Sequence, residues 1–236
     1  MTACSGASDG TDDGAADESA LGPATVFAAA SRSCSTSIVR GLTDQLREEI
    51  DCLVPHTLIG MGDVEAAGVT IGDDVLPYLQ PPVSAALVQA AKLSTKPMKI
   101  NSALRMLPQQ YLLHRWAAGK RCGIAVAANV GESNHEQGLA VDIDTSQGSS
   151  ANKIIRTAMS KASFEWFGPS DPVHFTYKGT DATDLSGLTV RAFKRLWTRN
   201  HPEAPLADDT TYDARVEARL KASPADGFEI GARCGE

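Results

Sequence analysis

Two short stretches of this chain carry residue types that could do chemistry together. The first is Ser133-Asn134-His135-Glu136-Gln137-Gly138-Leu139-Ala140-Val141-Asp142-Ile143. It sets an imidazole and a carboxylate seven positions apart, with Gly138 between them to let the backbone turn. The second is Trp166-Phe167-Gly168-Pro169-Ser170-Asp171-Pro172-Val173-His174-Phe175-Thr176-Tyr177. It offers a second imidazole, His174, and a carboxylate, Asp171, three residues before it. Two imidazoles and a carboxylate make a three-ligand set for a catalytic zinc ion, with the fourth position open to water. Asp171 then suits a carboxylate that reaches such a water without binding the metal.

Strands must position these groups. Leu139, Val141 and Ile143 alternate with Ala140 and Asp142, the period-two pattern of a half-buried strand. Val173, Phe175 and Tyr177 alternate in the same way with His174 and Thr176. Each strand thus turns one face to a core and sends its polar residues to the other. His135 sits just before the first strand, where a turn at Gly138 folds it back over Asp142.

The pattern Ser-x-His-x-x-Gly-x-Ala-x-Asp, followed by an acidic residue, two spacers and His, resembles the zinc D-alanyl-D-alanine carboxypeptidases and L-alanyl-D-glutamate endopeptidases. These metallopeptidases cut the peptide part of peptidoglycan. The resemblance covers roughly residues 75–180 and implies His135, Asp142 and His174 as Zn2+ ligands and Asp171 as general base. Many relatives carry Glu at the base position, one methylene longer. The resemblance also implies that Arg105 holds a substrate carboxylate or polarises the scissile carbonyl, for which a planar guanidinium is suited. Ser133 matches a serine that contacts substrate or braces its loop. The expected substrate is a peptidoglycan stem peptide and the expected activity is of the D,D-carboxypeptidase type. The rival expectation is a non-catalytic cell-wall-binding protein derived from such a peptidase.

Other polar residues near the motifs compete for roles. Glu132, Glu136 and Asp144 could orient a histidine, although Glu132 and Glu136 read better as solvated rim charges. Glu165 is a poorer acid–base candidate, placed beyond Gly168-Pro169. Gln109 and Gln110 either line the cleft or face solvent. His56 reads as a turn residue and His114 as a structural one in mid-helix.

The 236 residues are 42% hydrophobic and 22% charged, enough for one sizeable core and a small second unit. The net charge is −7, from 22 basic and 29 acidic residues. Five of those acids (Asp9, Asp12, Asp13, Asp17, Glu18) precede Arg32, the first basic residue, so the remainder is near neutral. The lack of a basic stripe argues against a nucleic-acid binder. No apolar run approaches the length of a membrane span.

The expected fold is α+β. A small antiparallel sheet carries the zinc site between flanking helices, and a short helical subdomain follows. Residues 1–31, poor in large apolar side chains, read as a disordered acidic tether. Residues 32–180 form the peptidase domain with a helical extension, 184–225 a helical repeat, and 226–236 a tail. The repeat resembles a peptidoglycan-binding module, but its turn, Asp209-Thr210-Thr211-Tyr212-Asp213, lacks both glycines of that pattern.

Leu42, Leu46, Ile50 and Leu53 mark a helix with one apolar face. Further helices are expected after Gln80-Pro81, from Pro108 to Ala118 with Gly119 closing it, and after a cap at Ser149 or Ser150. A strand is expected over Met98–Ser102.

Small residues around Cys4 resemble the end of a bacterial lipoprotein signal. They raise a lipid tether at Cys4 and an exported location, periplasmic or in the cell envelope, against the alternative of a chance cysteine. A monomer is expected. The spacings of Cys34, Cys52, Cys122 and Cys234 match no thiolate metal site, so disulfides are expected. Of the three pairings, Cys34–Cys52 with Cys122–Cys234 is favoured here. It carries a condition. A helix unbroken over residues 37–51 would span about 22 Å and hold Cys34 and Cys52 apart, so the helix has to start near Thr43.

Overall fold

The computed structural model describes residues 24–235; Cys4 and most of the expected tether lie outside them. The chain is α+β. In order, its elements are α1 (Val26–Arg32), a 3-10 turn (Thr36–Val39), α2 (Arg40–Leu53), β1 (Ile59–Gly60), α3 (Gly62–Ala66), β2 (Thr70–Ile71), β3 (Tyr78–Leu79) and α4 (Pro81–Leu93). They continue with β4 (Lys99–Ser102), α5 (Leu107–Ala118), β5 (Ala140–Ile143), α6 (Ser149–Lys161), β6 (Phe164–Trp166), β7 (His174–Tyr177), α7 (Leu188–Asn200) and α8 (Ala214–Ala222).

Five strands form a sheet in the order β2-β4-β5-β7-β6. Its pairs are antiparallel except β2 with β4. Alternation places Val141, Ile143, Phe175 and Tyr177 on one face, in a core shared with Leu87 of α4 and Met159 of α6. The opposite face carries Ala140, Asp142, His174 and Thr176. Strand β5 is central, so Asp142 has a neighbour on each side: Ser102 on β4 and His174 on β7 are its direct register partners. Directly opposed side chains on one sheet face lie about 5 Å apart at Cβ. Pairing alone therefore unites two of the expected ligands.

A second core is helical. Leu42, Leu46 and Ile50 of α2 meet Phe193, Leu196 and Trp197 of α7, with Val26, Ala29 and Ala30 of α1 and Val216 and Leu220 of α8 in the same cluster. Glu49, fully buried on α2, accepts from Arg195 Nε at 2.8 Å and from Arg199 Nη1 at 2.9 Å on α7. Helices α7 and α8 are thus part of a core built with the N-terminal helices, where a separate repeat was expected. Val26 N–H donates to Ser223 O and Ala225 N–H to Ala24 O, joining the two ends of the described chain.

Three expectations need correction. The tether expected over 1–31 runs into α1, whose Thr25 cap accepts from Ala28 N and whose Ala30 carbonyl accepts from Trp116 Nε1 at 2.7 Å. Small side chains that bury little by themselves here let a helix approach a tryptophan closely. The tail over 226–236 is tied down, by hydrogen bonds through residue 231 and by the disulfide at Cys234. Gln45 exchanges two hydrogen bonds with Phe228, and Asn200 two with Ile230. The disulfides are Cys34–Cys122 and Cys52–Cys234, in place of the expected pairing. The condition on α2 fails, because the 3-10 turn runs straight into a helix that starts at Arg40. Cys34 lies ahead of that turn and Cys52 at the far end of the helix, and each finds its partner elsewhere. Thr43 lies inside the helix, buried.

The other helices fall close to expectation. Pro81 opens α4 behind Gln80, and Gly119 closes α5. The cap of α6 is Gly148 at φ +90°, with Ser149 as the first helical residue. Among the described residues no helix is long and apolar enough to cross a membrane.

Candidate metal centre

Asp142 and His174 arrive by register, as above; His135 arrives by a turn. Gly138, at φ +66°, sits where a Cβ would stand 2.9 Å from Leu58 Cδ2, so both the conformation and the space call for glycine. Its N–H donates to His135 O, closing the turn that brings the imidazole back over β5. Ser133 braces the same loop, its Oγ accepting from His135 N at 3.3 Å.

The segment Ala103–Arg105, just past β4, then orients two ligands at once. Arg105 N–H donates to His135 O at 3.2 Å, and Ala103 O stands 2.7 Å from His135 Nδ1. The Arg105 guanidinium donates from Nη2 to Asp142 Oδ2 at 2.7 Å, from Nε to Ser102 Oγ and from Nη1 to Gln110 Oε1. Gln110 is buried and steadied in turn by Ala128 O.

What remains in the centre is a triangle of three atoms. His135 Nε2 is 3.2 Å from Asp142 Oδ1 and 3.1 Å from His174 Nδ1, and these last two are 3.1 Å apart. A carbonyl can only accept, so the His135 proton is on Nδ1 and Nε2 presents a lone pair. On His174, Nε2 lies 3.0 Å from Thr176 Oγ1; a proton there leaves Nδ1 bare as well. Burial, then the neighbouring Arg105, lower the His135 pKa and keep the ring neutral. Burial alone would raise Asp142, but the Arg105 guanidinium on Oδ2 opposes it and the carboxyl lies well below the usual range.

Three lone pairs therefore face one point with no proton among them, an arrangement that is repulsive without a cation. Tetrahedral ligands about 2.0 Å from a zinc ion lie about 3.3 Å from one another, close to the edges of this triangle. His135, Asp142 and His174 fit a metal ion and are the group of described residues that could hold one.

Around the triangle the expected residues sort themselves. Asp171 is partly buried; its backbone O accepts from His174 N, and its carboxylate makes no hydrogen bond among the described residues. Burial and the charge of Asp142 raise its pKa, against the opposing pull of His174 and Arg105. Phe167, 59% exposed, stands edge-on to the His174 ring at 5.7 Å.

Glu165 pairs with Lys178 on the surface, and Asp144 turns to Ser146, so neither serves the site. Glu132 is exposed, as expected. Glu136 is not a rim charge: it is buried and accepts from Gly131 N, Ser133 N and Thr189 Oγ1. Burial pushes its carboxyl up to about 7. Neither Thr176 nor the Ala103 carbonyl was expected to take part in the site, although the alternation had already put Thr176 on the strand face of His174.

No protein-family model and no curated protein matches this chain. Among solved structures, the chain is similar to the L-Ala D-Glu endopeptidase ChiX of Serratia marcescens. The TM-score is 0.34 and the identity 20%, over 42% of this chain and 80% of that one. At that level of likeness the neighbour's activity remains its own, and the case for this chain stands on the triangle.

Proposed function

We propose that this chain is a zinc-dependent peptidase that hydrolyses peptide bonds of peptidoglycan stem peptides, of the D,D-carboxypeptidase type. The observation that carries the reading is the converging triangle of His135 Nε2, Asp142 Oδ1 and His174 Nδ1, set within the motif pattern such peptidases share. When bound there, zinc would polarise a carbonyl and bring the acidity of water towards neutrality.

The protein's own groups do the rest. Asp171, with a raised pKa and a carboxylate not spent on any hydrogen bond, takes the proton of the attacking water and returns it to the leaving amine. Arg105 fixes Asp142. Of its five N–H donors three are engaged, and two remain for a substrate carboxylate or the developing oxyanion. Ser133 acts through the loop it braces. Two disulfides suit an oxidising compartment, where a wall substrate is met. Cys4 is the proposed point of a lipid tether.

Metal analysis of the purified protein, followed by mass spectrometry of muropeptides incubated with it, tests the reading. Loss of a terminal residue from the stem peptide is expected. Asp171→Asn should retain the metal and lose about 10²–10⁴-fold in turnover. Zinc bound without any cleavage would overturn the reading in favour of a wall-binding protein.

A further inference from the structure

A cavity of about 390 Å³ lies apart from the metal ligands, between α5, α7, the turn before α8 and the loop that leads to His135. Tyr111 and Tyr212 supply ring surface, Glu132 and Glu217 supply carboxylates, and His114 and Asn129 complete its polar lining. No lysine or arginine is among the lining residues. Its hydrogen-bonding capacity is incompletely used. Among the described residues the buried Tyr212 hydroxyl oxygen has no hydrogen-bond partner. Among the described residues no hydrogen bond engages the His114 imidazole. Glu217 has Lys221 at 3.8 Å, one turn along α8, and Glu132 accepts from Asn129 Nδ2 at 2.8 Å. The Tyr212 phenol is held in its neutral form, by burial first and then by the negative charge of Glu217.

Acceptors, aromatic faces and the Glu132 carboxylate, which has no ion pair among the described residues, select a cation, and the volume matches a small organic group. We propose that this cavity recognises a primary ammonium on an aliphatic chain, the group borne by a diamino acid in a stem peptide. The identity of the molecule rests on the peptidase reading; the charge and size of the group rest on the cavity alone. A carboxylate ligand would face the Glu132 carboxylate with no cation between them.

The loop explains why such a site would matter. Glu132 lines the cavity and His135 follows three residues later, so their Cα atoms are at most about 11 Å apart. Glu136 gathers the N–H groups of Gly131 and Ser133 from the same loop. The cavity wall and the ligand His135 therefore share one short loop, through which an ammonium seated here would bear on how a peptide lies at the metal centre.

The test uses the whole protein as purified, with its metal in place. Nα-acetyl-lysine methylamide and its Nε-acetylated counterpart are titrated against it by NMR. The free amine should bind saturably, with shifts at the Tyr111 and Tyr212 rings, and acetylation should weaken binding about tenfold. Glu132→Gln with Glu217→Gln should weaken it similarly while leaving the melting temperature unchanged, since Glu132 is exposed and Glu217 partly so. Equal binding of the two probes, absence of saturable binding, or indifference to the double substitution would overturn the proposal. A protein that discriminates the probes but cleaves no muropeptide would overturn the peptidase reading alone. One that cleaves amine-acetylated and free muropeptides equally, and does not separate the probes, would overturn the cavity alone.

Discussion

Glu49 and Asp142 are both carboxylates drawn away from solvent beside arginine, yet they are satisfied to different degrees. Around Glu49, Arg195 and Arg199 meet both oxygens with N–H groups from α7. Around Asp142, Arg105 meets Oδ2, while Oδ1 looks at two bare imidazole nitrogens. A buried charge whose lone pairs are matched by donors is a joint between helices. A buried charge left one cation short is a socket. The same few residue types build both, so the leftover lone pairs distinguish function from scaffolding.

The contrast can be attacked from either side. His135→Ala or His174→Ala opens the triangle, and metal content should fall from about one ion per chain to background, with hydrolysis lost. If either variant kept its metal, the socket would lie elsewhere. Glu49→Ala leaves two arginines facing a buried gap and should cost about 3–5 kcal/mol in denaturant unfolding. Metal binding per folded molecule should be unchanged, which separates joint from socket.

Glu136 gives a pH signature. Its folded pKa of about 7 lies above its ordinary 4.5, so the folded state binds the extra proton between those values. Its contribution to stability is then fully present below about 4.5 and lost as pH rises through about 7, by about 3 kcal/mol. Unfolding of metal-free protein between pH 5 and 8 should show that slope, and Glu136→Gln should flatten it. Arg105→Gln removes the cation Asp142 already has. Zinc affinity should drop about 10–100-fold with the fold intact, as competition with a chelator would reveal.

The strands β5 and β7 and the triangle they carry were legible in the sequence because each motif is local, whereas β2, β6 and the parallel pairing of β2 with β4 were not. A strict alternation assigns faces, and His135, Gly138 and Asp142 lie within eight residues, too close for tertiary context to rearrange. His174 needed only that β7 pair with β5. The disulfides were less legible, since their partners depend on whether residues 36–39 continue the axis of α2 or reverse it, a choice packing makes. Residues 26–30 were misread for a related reason. Alanine carries almost no hydrophobic signal, and α1 owes its place to the tryptophan and leucines it touches. Glu136 looks like any surface glutamate until α7, fifty residues on, closes over it with Thr189.

The two disulfides enclose overlapping spans, from Cys34 to Cys122 and from Cys52 to Cys234, with sequence separations of 88 and 182. One protease cut anywhere from residue 35 to residue 233 therefore leaves two pieces still covalently joined. Such a chain can be nicked in a hostile medium without shedding a fragment, and only after reduction would a gel resolve the wound.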